Sequence, residues 1–139
     1  MPPRRISIAL ALIATTLTIA AVLPWLLYRI GLGQIDGRPS RATQTVVTTH
    51  DLQALRTRLR ISQPIRSDPI SPYSYLFQGS DMSASTRMAW IIARAHNARH
   101  LTDHRYWHLS GAALTIWLTR NWTSDELVAK AVELTAPRV

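Results

Sequence analysis

The feature that most constrains this chain is an apolar run near its N-terminus, ISIALALIATTLTIAAVLPWLLY, from Ile6 to Tyr28. The run carries no charged side chain. A helix rises about 1.5 Å per residue and the bilayer core is about 30 Å thick, so about 20 apolar residues cross it. A buried helix of a soluble protein is the alternative, but such a helix rarely lacks charge on every face. We therefore predict a transmembrane helix over residues 6–28, after a short tail over residues 1–5.

The same pattern must be compared with that of a secretory signal peptide. A signal has a shorter apolar region, about 7–15 residues, which ends at a small-x-small cleavage site. Here Ala20 and Ala21 are followed by more apolar residues, from Val22 to Leu27. No A-x-A pattern directly follows the run. The sequence therefore favours an anchor that is not cleaved.

Residues suited to a membrane surface flank the predicted span. Trp25 and Tyr28 lie near its C-terminal end, and amphipathic rings settle at the headgroup level. Arg4 and Arg5 precede the run and Arg29 follows it, so the rule that basic residues face the cytoplasm does not decide the orientation. A very short N-terminal tail most often stays in the cytoplasm. On that basis we expect a single-pass protein of the bacterial inner membrane with a periplasmic C-terminal domain.

The charge of the chain bears on its partners. The formal net charge is +8, and arginine carries almost all of it, because Lys130 is the sole lysine. Arginine makes bidentate contacts to phosphate and carboxylate, so anionic lipid headgroups are candidate partners besides the bilayer itself. An arginine-rich surface that reflects a GC-rich genome remains an alternative. The absence of cysteine excludes disulfides, a thiolate nucleophile and Cys-ligated metal sites.

Residues 29–79 are predicted to form a linker and a proline-rich arm with one short helix. Glycine and proline discourage regular structure after the span, and leucines spaced for one helical face predict a helix over residues 50–60. Arg56, Arg58 and Arg60 project from other faces of this helix, where they are candidates for contact with a partner or with lipid. A simple solvated face is the alternative, and nucleic acid is the least favoured partner.

Three prolines follow that helix. Pro64, Pro69 and Pro72 each disfavour helical geometry in the residue before them. We therefore expect the segment from Gln63 to Tyr75 to be an ordered loop or an extended arm that wraps another element.

Residues 80–139 are predicted to form a compact helical domain. Asp81 or Ser83 can cap a helix that ends near residue 98, and Thr102 or Asp103 can cap a second one that ends near residue 121. This second helix is apolar on nearly every side, which is typical of a central, buried helix.

A capping box opens the last helix of this domain. Thr123 and Glu126 have the S/T-x-x-E spacing, and the helix is expected to run to about Thr135, before Pro137. The predicted fold is therefore all-α. It comprises one transmembrane helix, a proline-rich arm and a small bundle of three or four helices.

Four histidines recur at every fourth position and are the metal candidates. His96, His100, His104 and His108 could place neighbouring rings on one helical face, as zinc sites do. Each step of four residues advances about 40° around the axis, so the series spirals rather than converges. The segment Leu101-Thr102-Asp103 also predicts a helix boundary within the series. We therefore predict a histidine-rich turn and no metal or other cofactor.

Carboxylates and aromatic residues supply the remaining site candidates. Asp81 and Asp103 are the acids that we would test in a cleft, although a capping role explains each of them. Trp107 and Trp122 bracket the central helix and are candidates to contact a partner or a glycan. Packing in the core is the alternative for both rings.

The segment from Tyr106 to Leu134 resembles the last part of peptidoglycan glycosyltransferase domains. In that family an amphipathic helix precedes a phrase similar to S-K-D-E-I-L-E-x-Y-L-N, and here RYWHLSGAALTIWLTRNW precedes TSDELVAKA. The stretch from Ser83 to Ala89, SASTRMA, is similar to the family's G-G-S-T-I-T-Q-Q-L-A. The N-terminal anchor also fits this resemblance, which covers about 55 residues and implies a helical, lysozyme-like domain.

The chain departs from that family at the positions that carry its chemistry. No counterpart of E-D-x-x-F-x-x-H is present, the second glutamate position falls near Gly111, and the final Y-L-N is absent. The resemblance thus implies a remnant that binds or scaffolds. We hypothesise a non-catalytic, membrane-anchored subunit that contacts other envelope proteins. The alternative is an enzyme or glycan-binding protein acting on lipid-linked precursor.

Overall fold

The computed structural model describes residues 3–44, 46–79 and 81–136, with side chains from residue 7 onward. Within these ranges the chain forms helices and no strand. The helices are α1 (Pro3–Gly33), α2 (Thr49–Leu59), α3 (Pro72–Phe77), α4 (Ala84–His100), α5 (Trp107–Asn121) and α6 (Ser124–Thr135), with a 3₁₀ turn over His104–Tyr106. The predicted all-α fold is confirmed.

The N-terminal helix α1 is longer than the predicted span. It is long and apolar enough to cross a membrane from Ser7 to Gly33, and most of it is exposed. It continues past the predicted end at Tyr28, through Gly31 to Gly33. Contact with α5 compensates for the low helix propensity of these glycines, a tertiary effect that the local sequence does not contain.

The bundle is organised around α5, as expected for a helix that is apolar on nearly every side. Helices α4 and α1 pack on α5, α6 packs on α4, and α2 packs on α6. The largest fully buried apolar side chains in the described chain are Leu55, Met88, Ile92, Leu114, Leu118 and Leu127. The end of α1 is therefore part of the domain rather than a separate tether.

The segment after α1 is fixed to the domain at its start. Ile35 forms an isolated antiparallel bridge with Leu101 and is 6% exposed. The Asp36 amide donates to the His100 carbonyl at 2.8 Å, and the Thr102 amide donates to the Gln34 carbonyl at 3.0 Å. Hydrogen bonds on both sides of the bridge thus hold the beginning of the predicted linker against the end of α4.

The predicted arm holds two short helices, α2 and α3, where the sequence predicts one. The proline-rich stretch between them contacts the C-terminal end of α5 at Ile70. The Ile70 amide donates to Thr119 Oγ1 at 3.3 Å, and Arg120 Nη1 donates to the Ile70 carbonyl at 3.4 Å. These contacts bring α3 against α1 and α5.

The helix starts in the C-terminal domain lie at predicted capping residues. Ser83 caps α4, and a complete capping box of Thr123 and Glu126 opens α6. Asp103 caps the 3₁₀ turn that leads into α5. Ser80 and Pro137, the predicted start of the domain and the predicted stop of α6, lie outside the described residues.

Candidate membrane and partner interface

The helices α1 and α5 cross at a close contact. A β carbon built on Gly31 would lie 2.7 Å from the Leu109 carbonyl oxygen and 2.8 Å from the Ala113 β carbon. Only a residue without a side chain permits this approach, because real β carbons do not come that near to other heavy atoms. The domain is therefore packed directly onto the end of α1.

Aromatic and basic side chains gather where the apolar part of α1 ends. The Trp25 and Tyr28 rings meet edge to face, with their centroids 5.9 Å apart. The Arg120 guanidinium, from the end of α5, lies 5.7 Å from the centroid of Trp25. The guanidinium groups of Arg29, Arg38 and Arg120 are also close enough to the Tyr28 hydroxyl to interact electrostatically.

This arrangement is suited to a membrane surface. Trp25 and Tyr28 supply the amphipathic rings that settle at the headgroup level, and the arginines beside them can bind lipid phosphates. The sequence identifies Trp25, Tyr28 and Arg29, but Arg120 comes from a distant part of the chain. Arg4 and Arg5, the predicted membrane-interface residues before the span, have side chains outside the part that the structure describes.

The histidine series is split by the predicted boundary. His96 and His100 lie on α4 with stacked rings, 4.2 Å between centroids, whereas His104 lies in the 3₁₀ turn and His108 on α5. Burial lowers the pKa of His96, and the neighbouring His100 lowers it further. Among the described residues, no group of three or more His, Cys, Asp or Glu side chains is placed to hold a metal ion.

The two acids proposed for a cleft lie at the surface. Asp81 is exposed, just before α4. Asp103 accepts hydrogen bonds from the Arg105 side chain and amide, and these bonds hold the pKa of its carboxyl below the usual value. A carboxyl of this kind stays ionised at neutral pH, whereas a general acid needs a raised pKa.

The tryptophans that bracket α5 have different environments. Trp122 is 4% exposed and belongs to the core, which leaves little of its surface for a partner. Trp107 is half-buried at the start of α5. The Arg94 guanidinium lies 5.7 Å from the centroid of Trp107 and 4.6 Å from that of Trp90, so one cation contacts two indole rings. We call these three residues the Trp–Arg cluster.

The arginines of the arm are partly engaged within the protein. Arg58 Nη1 donates to the Thr135 carbonyl at 2.6 Å, at the C-terminal end of α6. Arg60 ends α2 in the left-handed conformation, with φ of 52°. Arg56 is half-buried, and its Nε has no hydrogen-bond partner in the described chain. Arg58 thus caps the C-terminal end of α6 while it stays exposed.

Gly111, which the resemblance places near the second glutamate position of the glycosyltransferase family, lies inside the bundle. It is buried, and a β carbon there would lie 3.7 Å from Asn97 Nδ2. Asn97 Nδ2 in turn donates to Ser110 Oγ at 3.0 Å. This polar contact between α4 and α5 occupies the interior at that position.

Sequence reasoning missed two parts of the interface. The sequence does not identify Arg94 as a member of the Trp–Arg cluster, because Trp90 and Trp107 lie on different helices. The prediction of an ordered loop or extended arm up to Tyr75 is wrong from Pro72 onward, because a proline directly after a serine cap is a typical start for a short helix. No family model, curated protein or solved structure matches the chain.

Proposed function

We propose that this chain is a non-catalytic, single-pass, membrane-anchored subunit or accessory protein of a bacterial cell-envelope complex. The observation that carries this proposal is the contact of Gly31 with Leu109 and Ala113, which makes the domain and its anchor one body. A domain held in this way presents fixed surfaces at a fixed height above the bilayer. That property suits a subunit that positions other membrane proteins.

The proposed location is the inner membrane, with the helical domain in the periplasm. The start of α1, with Arg4 and Arg5, would remain on the cytoplasmic side, and the apolar part of α1 would cross the bilayer. On the other side, Arg29, Arg38 and Arg120 would meet the anionic headgroups. Lipid and other envelope proteins are thus the proposed partners.

The Trp–Arg cluster is the surface proposed for a protein partner. Tryptophan and arginine are enriched among the residues that dominate binding energy at protein interfaces. Trp90 and Trp107 are each half-buried, so their rings are held in place while part of each surface stays accessible. Arg94 between them is exposed and can donate to an acidic or carbonyl group of a partner.

The alternative, a glycosyltransferase-like enzyme or a glycan-binding protein, depends on the family resemblance. Asp81 is exposed and the pKa of Asp103 is lowered by Arg105, so neither acid supports it. It stays a prediction, and an assay of glycan polymerisation with the purified chain tests it. Loss of activity in Asp81→Asn or Asp103→Asn would be the result in its favour.

The proposed function is tested by purification from native membranes. The full chain, with a C-terminal tag, is solubilised in mild detergent, and the proteins that remain with it are identified and quantified. We expect a stable, stoichiometric set of envelope proteins. Arg94→Ala should reduce their recovery, whereas Arg99→Ala, which removes an exposed arginine from the same helix, should not. A chain that is always recovered alone would contradict the proposal.

A further inference from the structure

The short helix α3 has a well-defined start and an apolar composition. Its sequence is Pro-Tyr-Ser-Tyr-Leu-Phe, from Pro72 to Phe77. Ser71 caps it, and Ser71 and Ser74 bond each other's amides in a complete capping box. Pro72 occupies the first helical position, where a backbone N–H would have no partner within the helix, so its missing N–H costs no hydrogen bond. α3 is thus a defined helical turn with few polar side chains.

This helix lies against the apolar part of α1. The Tyr73 hydroxyl donates to the Ala21 carbonyl, which belongs to the predicted span. Pro72, Tyr75 and Leu76 line a small apolar cavity of about 70 Å³ together with side chains of α1 and α5. Pro24 lies in the same region of α1, where its missing N–H leaves an earlier carbonyl without its helical donor.

The depth of α3 follows from its contact with Ala21. About 20 helical residues cross the hydrocarbon core, so a span that begins at Ile6 ends near Trp25. Ala21 then lies about 6 Å inside that boundary, at 1.5 Å per residue. Arg120, which contacts Trp25, marks the headgroup level on the same side. Tyr73 is therefore at the depth of the outermost acyl chains.

Two large apolar side chains at the end of α3 leave most of their surface uncovered by the protein. Leu76 is 64% exposed and Phe77, the only phenylalanine of the chain, is 86% exposed. The neighbouring part of α1 also exposes apolar side chains: Leu27, which lines the same cavity, is 37% exposed, and Leu17, one turn before Ala21 on the same face, is 65% exposed. Together these residues form an apolar surface that continues from the span onto α3, with nothing in the described chain to cover it.

We propose that α3 is a second membrane contact, an interfacial helix that inserts Leu76 and Phe77 among the acyl chains beside α1. The occupant of this surface is lipid, because α3 is bonded to α1 within the span and its exposed side chains continue the lipid-facing surface of α1. Interfacial helices bury an apolar face about 5–10 Å into the headgroup–acyl boundary, which agrees with the depth of Tyr73. The inference rests on the proposed membrane anchor.

Site-directed spin labelling tests this placement, since the chain has no native cysteine. The full chain is reconstituted in vesicles of phosphatidylethanolamine and phosphatidylglycerol, with one nitroxide at Phe77→Cys. Collision rates with oxygen, which partitions into lipid, and with a water-soluble nickel chelate report its depth. The controls are Ile13→Cys, at an exposed position of α1, and His104→Cys, at an exposed position of the 3₁₀ turn that precedes α5.

We expect the label at Phe77 to collide preferentially with oxygen, as at Ile13, and the label at His104 to collide preferentially with nickel. A nickel preference at Phe77 with an oxygen preference at Ile13 would overturn the inference and leave the anchor intact. A nickel preference at both sites would overturn the anchor as well. Low collision rates with both reagents at Phe77 would indicate a protein contact, which also overturns the inference.

Discussion

The backbone of Gly31 lies so near Ala113 that a β carbon on Gly31 would come within 2.8 Å of the Ala113 β carbon. One residue pair thus joins the end of the apolar helix α1 to the central helix of the bundle. Small residues on both helices are needed for such an approach, as in helix pairs within membranes. Packing between α1 and α5 at this junction therefore fixes the position of the domain relative to α1.

Gly31→Ala should therefore destabilise the domain by about 1–3 kcal/mol, the usual cost of overpacking, because the Leu109 backbone must move. Denaturant unfolding of the full chain in detergent measures this loss. Gly33→Ala is the matched control, since nothing lies within 4 Å of the added methyl group. It should be neutral or raise the free energy of unfolding by up to about 1 kcal/mol. Equal effects at the two glycines would contradict the close crossing.

The buried contact of Asn97 with Ser110 gives a second expectation. Ser110→Ala leaves Asn97 Nδ2 without its acceptor, and a buried unpaired donor costs about 1–3 kcal/mol. Ser62→Ala, at an exposed serine, should change the free energy of unfolding by less than about 0.5 kcal/mol. Chemical unfolding curves of both variants make the comparison, and a neutral Ser110→Ala would show that water or another acceptor replaces the hydroxyl.

His96 should make stability sensitive to mild acid. Burial lowers its pKa in the folded state, with Asp36, Arg38 and His100 around it, so folding disfavours its protonated form. The resulting loss in the free energy of unfolding is absent at pH values above the unfolded pKa of about 6.5, and it grows as the pH falls towards the folded pKa. Wild type should thus lose thermal stability between about pH 7.5 and about pH 5.5, above the range where carboxylates titrate.

Variants separate this effect from other acid effects. His96→Gln should lose less stability over the same pH range, whereas His104→Gln, at an exposed position, should follow wild type. Thermal melts at a series of pH values supply the measurement. Parallel curves for wild type and His96→Gln would assign the acid sensitivity to other groups.

Glu126 joins the start of α6 to the segment after α1. It bonds the Thr123 amide in the capping box and pairs with Arg41, and these bonds lower the pKa of its carboxyl. Glu126→Ala should cost about 1–2 kcal/mol, because a capping bond and an ion pair are lost together. Asp125→Ala removes an adjacent acid that interacts with the helix dipole, so it should lower the free energy of unfolding by about 0.3–1 kcal/mol. Thermal unfolding that ranks Asp125→Ala as the costlier change would contradict this role.

The parts of the fold that depend on local chemistry could be predicted from the sequence. The Thr123–Glu126 box and the Ser83 cap place helix starts because their hydrogen bonds lie within three residues. The boundary after residue 100 splits the histidine series as expected. In contrast, the end of α1 at Gly33 depends on packing against α5, which no local pattern encodes.

The candidate site was less predictable, because its members are far apart in the sequence. Trp25 and Tyr28 follow from the end of the apolar run, but Arg120 joins them only through the crossing of α1 and α5. Trp122 has the same residue type as Trp107, yet it lies in the core. Composition cannot separate two such rings, since burial depends on which face of the bundle each one occupies.

The central claim, that the domain and the membrane anchor form one body, is tested most directly by a distance measurement. Nitroxides at Leu12→Cys in α1 and His104→Cys in the domain, both at exposed positions, are measured by pulsed dipolar spectroscopy in vesicles. We expect one narrow distance distribution. A broad distribution, as from a domain that moves freely on a tether, would contradict the account.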